Sequence, residues 1–451
     1  MKTETAPAQS QKLADFRPFR AFRYDMSRVQ AKDVLAPPYD VISPAEQEAL
    51  YQRSPYNCIR LILNKILESD TDADNRYTRA RDFFSKWKSE GILKKEEKPS
   101  FYLYQQKFKD PRTGKEHNRS AFLGALKLEP FDKQIVIPHE RTLAKPRADR
   151  RRLLEATQTN FSPVFGLFED SKNEIIPLIP GIAASSKPLF DVTDDKGVTQ
   201  TLWQISDEAL VRKLREAFSA QRIYIADGHH RYQTSLEYSL ERRVAQGASE
   251  NQELPSDFVY MALVGFHDSG LALLPTHRLL TGVKDFNAPK LLESLKAYFQ
   301  VDAVKPAELM PRIEKASQTA SALGLALSGE EGYLLTLKDA AKAKAAMLPG
   351  KPDVWYNLDV NIFAYLILKA ILGLSETEWE SHLQFTHADD EAVAEISSKK
   401  VQAAFLLKAP KVQVLADMGK VRELMPQKST YFYPKLASGL LFYQHETGSV
   451  A

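Results

Sequence analysis

The sequence has almost no cysteine and no long apolar run. Cys58 is the single cysteine among 451 residues, so an internal disulfide, structural zinc, an iron–sulfur cluster and thioredoxin-like chemistry all lose their usual ligands. Residues 1–12 are polar and lack the apolar core of a signal peptide. The most apolar stretch, 363–374, is interrupted by Lys369 and is too short to span a bilayer. These features predict a cytoplasmic protein that does not insert into a membrane.

Charge imbalance and glycine-rich nucleotide loops are also missing. The chain has 61 basic and 58 acidic side chains, a net charge of +3, so no overall field attracts a nucleic-acid backbone and such a partner is disfavoured. It contains no GxxxxGK[ST], GxGxxG, HExxH or GxSxG pattern. Standard P-loop kinases, Rossmann dehydrogenases, zincins and α/β-hydrolases are therefore excluded. Because the overall charge is balanced, any phosphate has to be bound by a local group of residues.

The composition, 43% hydrophobic and 26% charged, is typical of a globular protein with a large core. Helical and strand patterns mix without a strict βαβ rhythm, which predicts an α+β fold with mixed sheets and flanking helices. A serine cap, a proline and a glutamate predict a helix over 44–53. A turn at 110–114 predicts an antiparallel hairpin of 101–108 with 120–128. We also expect a short strand at 58–63.

We expect four segments along the chain. They are a disordered tail, an N-terminal α+β part, a C-terminal α+β part and a second tail, at 1–13, 14–190, 202–441 and 442–451. The polar stretch 191–201 is the first candidate boundary, and the segment 340–352, where alternating alanine and lysine run into Pro-Gly-Lys-Pro, is a second. One fused domain is the alternative.

The most informative segment, 227–232, follows an apolar strand at 222–226 and precedes an amphipathic helix at 232–245. A helix start offers free N–H groups and a positive dipole end, so Arg231 and Tyr232 are predicted to hold a phosphate or carboxylate. His229 and His230 would assist in neutralising charge. Asp227 is suited to orienting a histidine, binding a metal or acting as a base. A capped turn with one core histidine is the structural alternative.

A second polar run contains His139, Glu140 and Arg141. A carboxylate between an imidazole and a guanidinium suits general-base chemistry beside an anion-binding arm, and an exposed charged loop is the alternative. Arginines at 147 and 150–152 resemble a nucleic-acid patch. We interpret them as the solvated face of a helix at 148–159, because no aromatic residues are interleaved.

Three further groups are candidate binding residues, and each has a structural alternative as a turn, a corner or a packing cluster. Two prolines would hold Tyr39 and Asp40 rigidly as substrate-binding residues. The end of an apolar strand and a polar, aromatic segment near the C-terminus supply hydroxyl, imidazole and cationic groups fit for a cofactor phosphate: Thr276, His277, Arg278, Lys428 and Ser429.

Eight segments together resemble the bacterial and archaeal family known as domain of unknown function 1015. They span about 16–441 and are 17–21, 36–43, 54–57, 138–142, 160–163, 226–232, 274–278 and 425–435. A weaker similarity links 227–231 to the Gly-x-His-Arg signature of the ParB and sulfiredoxin superfamily. That similarity implies a ParB/sulfiredoxin-like core in which the strand-to-helix turn holds nucleotide phosphates.

The superfamily includes CTP-binding partition proteins, ATP-using sulfiredoxin and a free-serine kinase. Sulfiredoxin's cysteine is missing here, since His229 or His230 stands in its place. The resemblance therefore implies a phosphotransferase that uses ATP or another nucleotide with Mg²⁺ and phosphorylates a small hydroxylated metabolite such as serine, with Glu140 or Asp227 as the base. The alternative is a regulator that binds a nucleotide without catalysis.

Overall fold

The computed structural model describes residues 13–142, 144–327 and 330–451. These residues form two compact units. The first takes in the described part of Met1–Pro138, Thr142–Ala272 and Pro434–Ala451, and the second is His139–Arg141 with Leu273–Tyr433. The stretch 191–201 lies inside the first unit and the segment 340–352 inside the second, so the division runs elsewhere than either candidate boundary.

A large mixed sheet dominates the first unit. Eight of its strands follow one another in the spatial order Val136–Ile137, Ile223–Asp227, Val164–Phe168, Phe258–Gly265, Glu116–Lys127, Phe101–Lys109, Thr199–Ile205 and Phe190–Thr193. A ninth strand, Phe16–Arg17, pairs with Glu116–Lys127. Two small ladders join Phe22–Tyr24 to Leu93–Lys95 and Thr159–Asn160 to Tyr443–Gln444. Parallel and antiparallel pairs both occur in the large sheet.

The helices of the first unit pack against one another and against strands of this unit. The α-helices are Ala31–Val34, Pro44–Arg53, Ile59–Ile62, Arg76–Ser89, Ala144–Thr157, Ile179–Ser185, Glu208–Phe218 and His229–Ala245. Short 3₁₀ turns occur at Tyr39–Val41, Phe131–Lys133, Ile176–Leu178 and Pro255–Asp257. In the core Phe218 packs edge-on against Phe16 and Phe168, with ring centroids 4.8 and 5.1 Å apart.

Local sequence signals explain two of these elements. The Ser43 hydroxyl accepts the Glu46 N–H at 3.2 Å and the Glu46 carboxylate accepts the Ser43 N–H at 2.9 Å, a complete capping box. This confirms the helix predicted over 44–53. The predicted hairpin is also confirmed, since Phe101–Lys109 and Glu116–Lys127 pair antiparallel.

The strand predicted at 58–63 is wrong, because residues Ile59–Ile62 form a helical turn. Asn57 starts that turn. Its side-chain oxygen accepts the Ile59 N–H at 2.9 Å, while its amide donates to the carbonyl of Leu35 at 3.1 Å. A local side-chain bond of this kind offers the backbone an alternative to strand pairing.

The segment 442–451, expected as a tail, is built into the first unit instead. Phe442 is fully buried and packs against Phe84 and Phe161, with ring centroids 5.8 and 5.7 Å apart. Tyr443–Gln444 pairs with Thr159–Asn160. Burial of these aromatic rings contributes several kcal/mol that a free tail would forgo.

The second unit contains an antiparallel sheet. Its spatial order is Phe299–Val304, Gly332–Leu337, Ala322–Ala326, Ala403–Leu406, His277–Leu280 and Leu383–Thr386. Ala272–Leu274 and Tyr431–Tyr433 are further short strands. The α-helices are Ala288–Leu295, Leu309–Ala316, Ala340–Ala346, Asp353–Tyr356, Asp359–Asn361, Trp379–His382, Asp389–Ser397 and Gln413–Val421, with a 3₁₀ turn at Pro306–Glu308 and a π-helix at Ile362–Ile371.

Both units mix helices with sheets, which confirms the predicted α+β class with mixed sheets and flanking helices. Across the part of the chain that the structure describes, no helix is both long enough and apolar enough to cross a membrane.

Candidate functional site

The predicted strand-to-helix motif lies in the first unit. The motif strand, Ile223–Asp227, ends at Gly228, and the motif helix, His229–Ala245, begins immediately after it. Gly228 has a φ of +89°, and a Cβ at this position would lie 2.9 Å from Nη2 of Arg231. Glycine is required here for both reasons. It lets the Arg231 side chain fold back across the start of the helix.

Asp227 pairs with two cations. Arg231 donates from Nη2 to Oδ2 at 2.9 Å, and Lys435 donates from Nζ to Oδ1 at 2.5 Å. Burial opposes ionisation of Asp227, but Lys435 and Arg231 outweigh it and hold the pKa of the carboxyl well below its usual range. Asp227 is therefore ionised and a weak proton acceptor. The three side chains together carry one net positive charge.

A cavity lies beside the motif helix, and we call it the motif pocket. Its polar lining combines two guanidinium groups with hydroxyl and amide groups, from Tyr39, Arg150, Thr159, Asn160, Ser162, Arg231, Thr234 and Ser235. Ile62, Leu153, Leu154, Phe161, Val164 and Val259 form its apolar walls. The cavity volume is about 50 Å³, which is room for a few water-sized groups.

Thr234 is the least satisfied polar group of this pocket. Its residue is 2% exposed, and its Oγ1 atom is buried without a hydrogen-bond partner among the residues described. Most buried polar side chains do have a partner, because burying an unpaired hydroxyl costs about 1–3 kcal/mol. The orphaned hydroxyl therefore points to a ligand or a water molecule as its missing partner.

Arg150 and Tyr39 form the opposite side of the motif pocket. The guanidinium carbon of Arg150 lies 3.8 Å from the centroid of the Tyr39 ring, and Arg150 also donates to the carbonyl of Ile62 at 2.9 Å and to Asp149 at 2.8 Å. Burial raises the pKa of Tyr39 to about 12, although Arg150 opposes the shift. The phenol is thus a hydrogen-bond donor at neutral pH. Because Asp149 and the Ile62 carbonyl already bind Arg150, it is Arg231 and the hydroxyl groups that make this pocket suited to an anion.

Other residues of the motif have different surroundings. His229 is buried in the first turn of the helix, and its charge would favour ionised Asp227. His230 is partly exposed. Tyr232 is fully buried, stacks on Phe131 with ring centroids 5.4 Å apart, and its hydroxyl donates to the carbonyl of Glu129 at 2.9 Å. The Tyr232 side chain therefore contributes to packing.

The arginines of helix Ala144–Thr157 are largely neutralised. Arg147 pairs with Glu237 at 2.6 Å, and Arg151 pairs with Glu155 at 2.6 Å. Arg150 pairs with Asp149 as described above. Acidic partners at these positions remove the excess positive charge that a phosphate backbone would need.

The run containing Glu140 lies in the second unit. Glu140 Oε1 accepts the backbone N–H groups of Ser429 and Thr430 at 2.9 and 3.4 Å, and His139 Nε2 lies 2.9 Å from the Thr430 hydroxyl. Lys428 has a φ of +58°, which shapes this turn. The backbone beside Lys428 and Ser429, whose side chains were predicted to bind a phosphate, thus binds a carboxylate of the chain itself.

The segment 276–278 lies in the same unit. Arg278 is buried and donates to the carbonyl of Lys428 at 3.0 Å. Burial lowers its pKa to about 10 against the opposing charge of Glu140. His277 Nε2 lies 2.8 Å from Asp389 Oδ1, while its Nδ1 accepts the Leu407 N–H at 3.3 Å. This pattern assigns the proton to Nε2.

Of the remaining candidates, Arg141 and Asp40 are exposed and Thr276 is buried. Arg141 is 64% exposed at its side chain and pairs with Glu376 at 3.5 Å. Thr276 Oγ1 lies 3.4 Å from Nδ1 of His387. Asp40 is exposed next to Tyr39. The structure therefore places Tyr39 and Arg231 in one cavity.

Sequence reasoning missed Arg150, Thr234 and Lys435 as parts of the first site. One feature of the sequence could have identified Thr234: it is a polar residue on the buried side of an amphipathic helix, within one turn of Arg231. Among the residues described, no group of three or more His, Cys, Asp or Glu side chains could hold a metal ion.

A family model described as "Protein of unknown function (DUF1015)" matches residues 16–361. No curated protein matches the chain. Among solved structures, a conserved hypothetical protein from Pyrococcus furiosus is 16% identical, with a TM-score of 0.33, over 67% of this chain and 89% of its own. Free serine kinase in complex with AMP is 14% identical, with a TM-score of 0.32, over 66% and 83%. SbnI from Staphylococcus aureus, truncated at its C-terminus, is 11% identical, with a TM-score of 0.33, over 70% and 85%.

Proposed function

The chain belongs to the DUF1015 family of proteins of unknown function, and we propose that it is a nucleotide-dependent phosphotransferase acting on a small hydroxylated metabolite. Serine is the acceptor that the sequence resemblance implies. The nucleotide would be ATP or a related compound with Mg²⁺. The observation that carries the proposal is the motif pocket, which is lined by Arg231 and by Thr234, whose buried hydroxyl has no partner in the described structure.

The chemistry of the pocket favours a phosphoryl group. Arg231 lies on the first turn of the motif helix, where free backbone N–H groups and the helix dipole favour negative charge. Thr234 and Ser235, on the second turn, contribute hydroxyl groups. Guanidinium groups bind phosphate oxygens through strong, charge-assisted hydrogen bonds. A cavity of about 50 Å³ accommodates one such group, and the rest of a nucleotide would extend beyond it.

Lys435 provides the positive charge that allows Arg231 to attract an anionic ligand. Asp227 binds both cations, so without Lys435 the carboxylate would cancel the charge of Arg231. With Lys435 in place, one positive charge remains for an anion, and His229 and His230 would add to it when protonated. Mg²⁺ bound to the nucleotide would neutralise further phosphate charge.

A phosphotransferase also needs a group that accepts the proton of the acceptor hydroxyl. The sequence offers Glu140 and Asp227. Asp227 is the weaker base, because its pKa is lowered and its two oxygens contact Lys435 and Arg231. We therefore assign to Asp227 the positioning of Arg231, and Glu140 stays a prediction from the sequence.

A regulator that binds a nucleotide without catalysis is the second candidate. It is favoured by the bonding of the two carboxylates, since Asp227 is held by cations and Glu140 by backbone N–H groups. A binding protein needs the cationic pocket but no proton acceptor.

The decisive experiment separates binding from transfer. Thermal unfolding is measured with ATP, ADP, CTP, GTP and inorganic phosphate, because a ligand that binds only the folded state stabilises it by about 2.7 kcal/mol at 100 times its Kd. Labelled ATP is then incubated with Mg²⁺ and a panel of amino acids, including serine, and sugars. Transfer to one acceptor supports the enzyme. Binding without transfer supports the regulator, and failure of every nucleotide to bind overturns both proposals.

A further inference from the structure

The segment 434–437, which we call the strap, carries Lys435 across a face of the large sheet. Three side chains from two neighbouring strands contact its backbone. Arg119 donates to the carbonyl of Pro434, Gln106 donates to the carbonyl of Lys435 at 3.1 Å, and the Tyr104 hydroxyl accepts the Ala437 N–H at 3.5 Å. The backbone on both sides of the Lys435 side chain is thus anchored to the sheet.

The anchoring side chains form one buried polar network. Arg119 also donates to Gln106, and Gln200 accepts from both Gln106, at 3.2 Å, and Tyr104. These four side chains belong to residues that are at most 3% exposed. Burial lowers the pKa of Arg119 to about 10, which leaves it charged at neutral pH.

Burying such a polar network against a sheet costs free energy. A buried charge and several amides cost desolvation energy, and apolar side chains of similar volume are often as stable or more stable. What apolar side chains cannot supply is a set of directed donors and acceptors for the strap backbone. The network is therefore better explained by what it orients than by its contribution to stability.

We propose that Tyr104, Gln106 and Arg119 are positioning residues that hold the strap so that Lys435 neutralises Asp227 and one net positive charge remains at Arg231 for an anion. This inference rests on the anion site of the proposed function. Lysine has a long, flexible side chain whose entropy opposes a fixed ion pair, so the position of its backbone decides how often Nζ reaches Asp227. Loosening the strap shifts Asp227 towards Arg231 alone and removes the net positive charge.

A double-mutant cycle tests whether Gln106 affects ATP binding through Lys435. We compare Lys435→Ala, Gln106→Leu and their combination, with the Kd for ATP measured by calorimetry. Lys435→Ala is expected to weaken binding about 10-fold or more, the usual loss for a charge-assisted contact, and Gln106→Leu about 3- to 10-fold. If Gln106 acts through Lys435, the double variant binds no more weakly than Lys435→Ala. If the losses of affinity in the two single variants multiply in the double variant, the proposal is overturned.

Gln105→Leu is the matched control. Gln105 is the same residue type on the same strand, but its amide donates to the Ser120 hydroxyl at 2.9 Å, and its side chain points to the opposite face of the sheet. Its Kd for ATP should match that of the parent. An equal loss in both glutamine variants would mean that Gln106 supports the sheet in general, and the proposal would fail.

A second readout does not depend on any ligand. The Lys435 side chain is 12% exposed and ion-paired, so its amine should react slowly with an acylating reagent followed by mass spectrometry. Gln106→Leu should raise that rate several-fold and Gln105→Leu should not. If Gln106→Leu does not fold, Tyr104→Phe, which removes only a hydroxyl, takes its place in both assays. If the parent binds neither ATP nor phosphate, the proposed function fails, while the labelling rates still decide the role of the strap: an unchanged rate overturns it.

Discussion

The Nζ atom of Lys435 lies 2.5 Å from Oδ1 of Asp227, on the side of the carboxylate opposite Arg231. One acidic side chain thereby organises two basic ones that lie far apart in the sequence. This relationship explains why a partly buried aspartate stays ionised and why the start of the motif helix keeps a positive charge. The net charge at the start of the motif helix is therefore a property of these three residues and not of Arg231 alone.

Arg231→Ala should weaken ATP binding about 10- to 100-fold, because a charge-assisted hydrogen bond is worth about 1.5–3 kcal/mol. The thermal shift produced by ATP and calorimetry both measure this loss. Arg243→Ala is the matched control, since Arg243 lies near the other end of the motif helix and pairs with Asp257 at 2.6 Å. That control should lose stability and keep its affinity. Equal affinity losses in the two variants would contradict a ligand role for Arg231.

Thr234→Val should leave the free protein as stable as the parent or up to about 1 kcal/mol more stable, because it removes a buried hydroxyl that has no partner in the described structure. The same change should weaken ATP binding about 2- to 10-fold. Thr157→Val provides the comparison, since the Thr157 hydroxyl donates to the carbonyl of Leu153 at 2.7 Å. It should cost about 1 kcal/mol of stability and leave binding unchanged. Urea unfolding and calorimetry measure the two quantities, and a large loss of stability in Thr234→Val would refute the assignment.

Glu140→Ala and Glu140→Gln should differ in stability. Alanine leaves the N–H groups of Ser429 and Thr430 without their carboxylate acceptor, at a cost of about 1–3 kcal/mol. Glutamine keeps an acceptor oxygen and should lose less. If Glu140 is also the catalytic base, Glu140→Gln should bind ATP normally and lower turnover about 10²- to 10⁴-fold. Parent-like turnover in a folded Glu140→Gln protein would remove Glu140 from the chemistry.

Acid should destabilise the protein partly through His445. Both of its ring nitrogens are buried without a partner in the described residues, and burial, with a smaller effect of Arg242, lowers the pKa of His445 to about 3. In the unfolded chain a histidine titrates near 6.5, so the unfolded state binds the proton first as the pH falls. This costs about 1.4 kcal/mol of unfolding free energy per pH unit between pH 6.5 and pH 3.

His445→Phe should remove the part of the acid-induced loss of stability that is due to His445. Measured by urea unfolding, the unfolding free energy of the variant relative to the parent should rise by about 3 kcal/mol between pH 7 and pH 4.5. The value at pH 7 serves as the reference for any packing change. If the two proteins lose stability in parallel on acidification, His445 does not titrate as described.

Local sequence patterns were sufficient for several elements. The helix Pro44–Arg53, the hairpin of Phe101–Lys109 with Glu116–Lys127, and the strand, glycine and helix around Gly228 all follow from capping, turn and periodicity signals between near neighbours. The α+β class and the family were also evident from the sequence, because both depend on patterns spread along the chain.

Contacts between distant residues had no such signal, and only the tertiary structure decided them. The Asn57 amide, which donates to the distant carbonyl of Leu35, holds in place the side chain that starts a helical turn where a strand was predicted. Glu140 accepts hydrogen bonds from the backbone N–H groups of Ser429 and Thr430, next to the Lys428 and Ser429 side chains that the sequence predicted to bind a phosphate. Lys435 reached Asp227 because a buried network on two strands holds its backbone. The sequence by itself determined which chemical groups the protein has and how neighbouring residues fold, whereas the packing of the sheet determined which charges meet, since a charge pair depends on distance in space and not on separation along the chain.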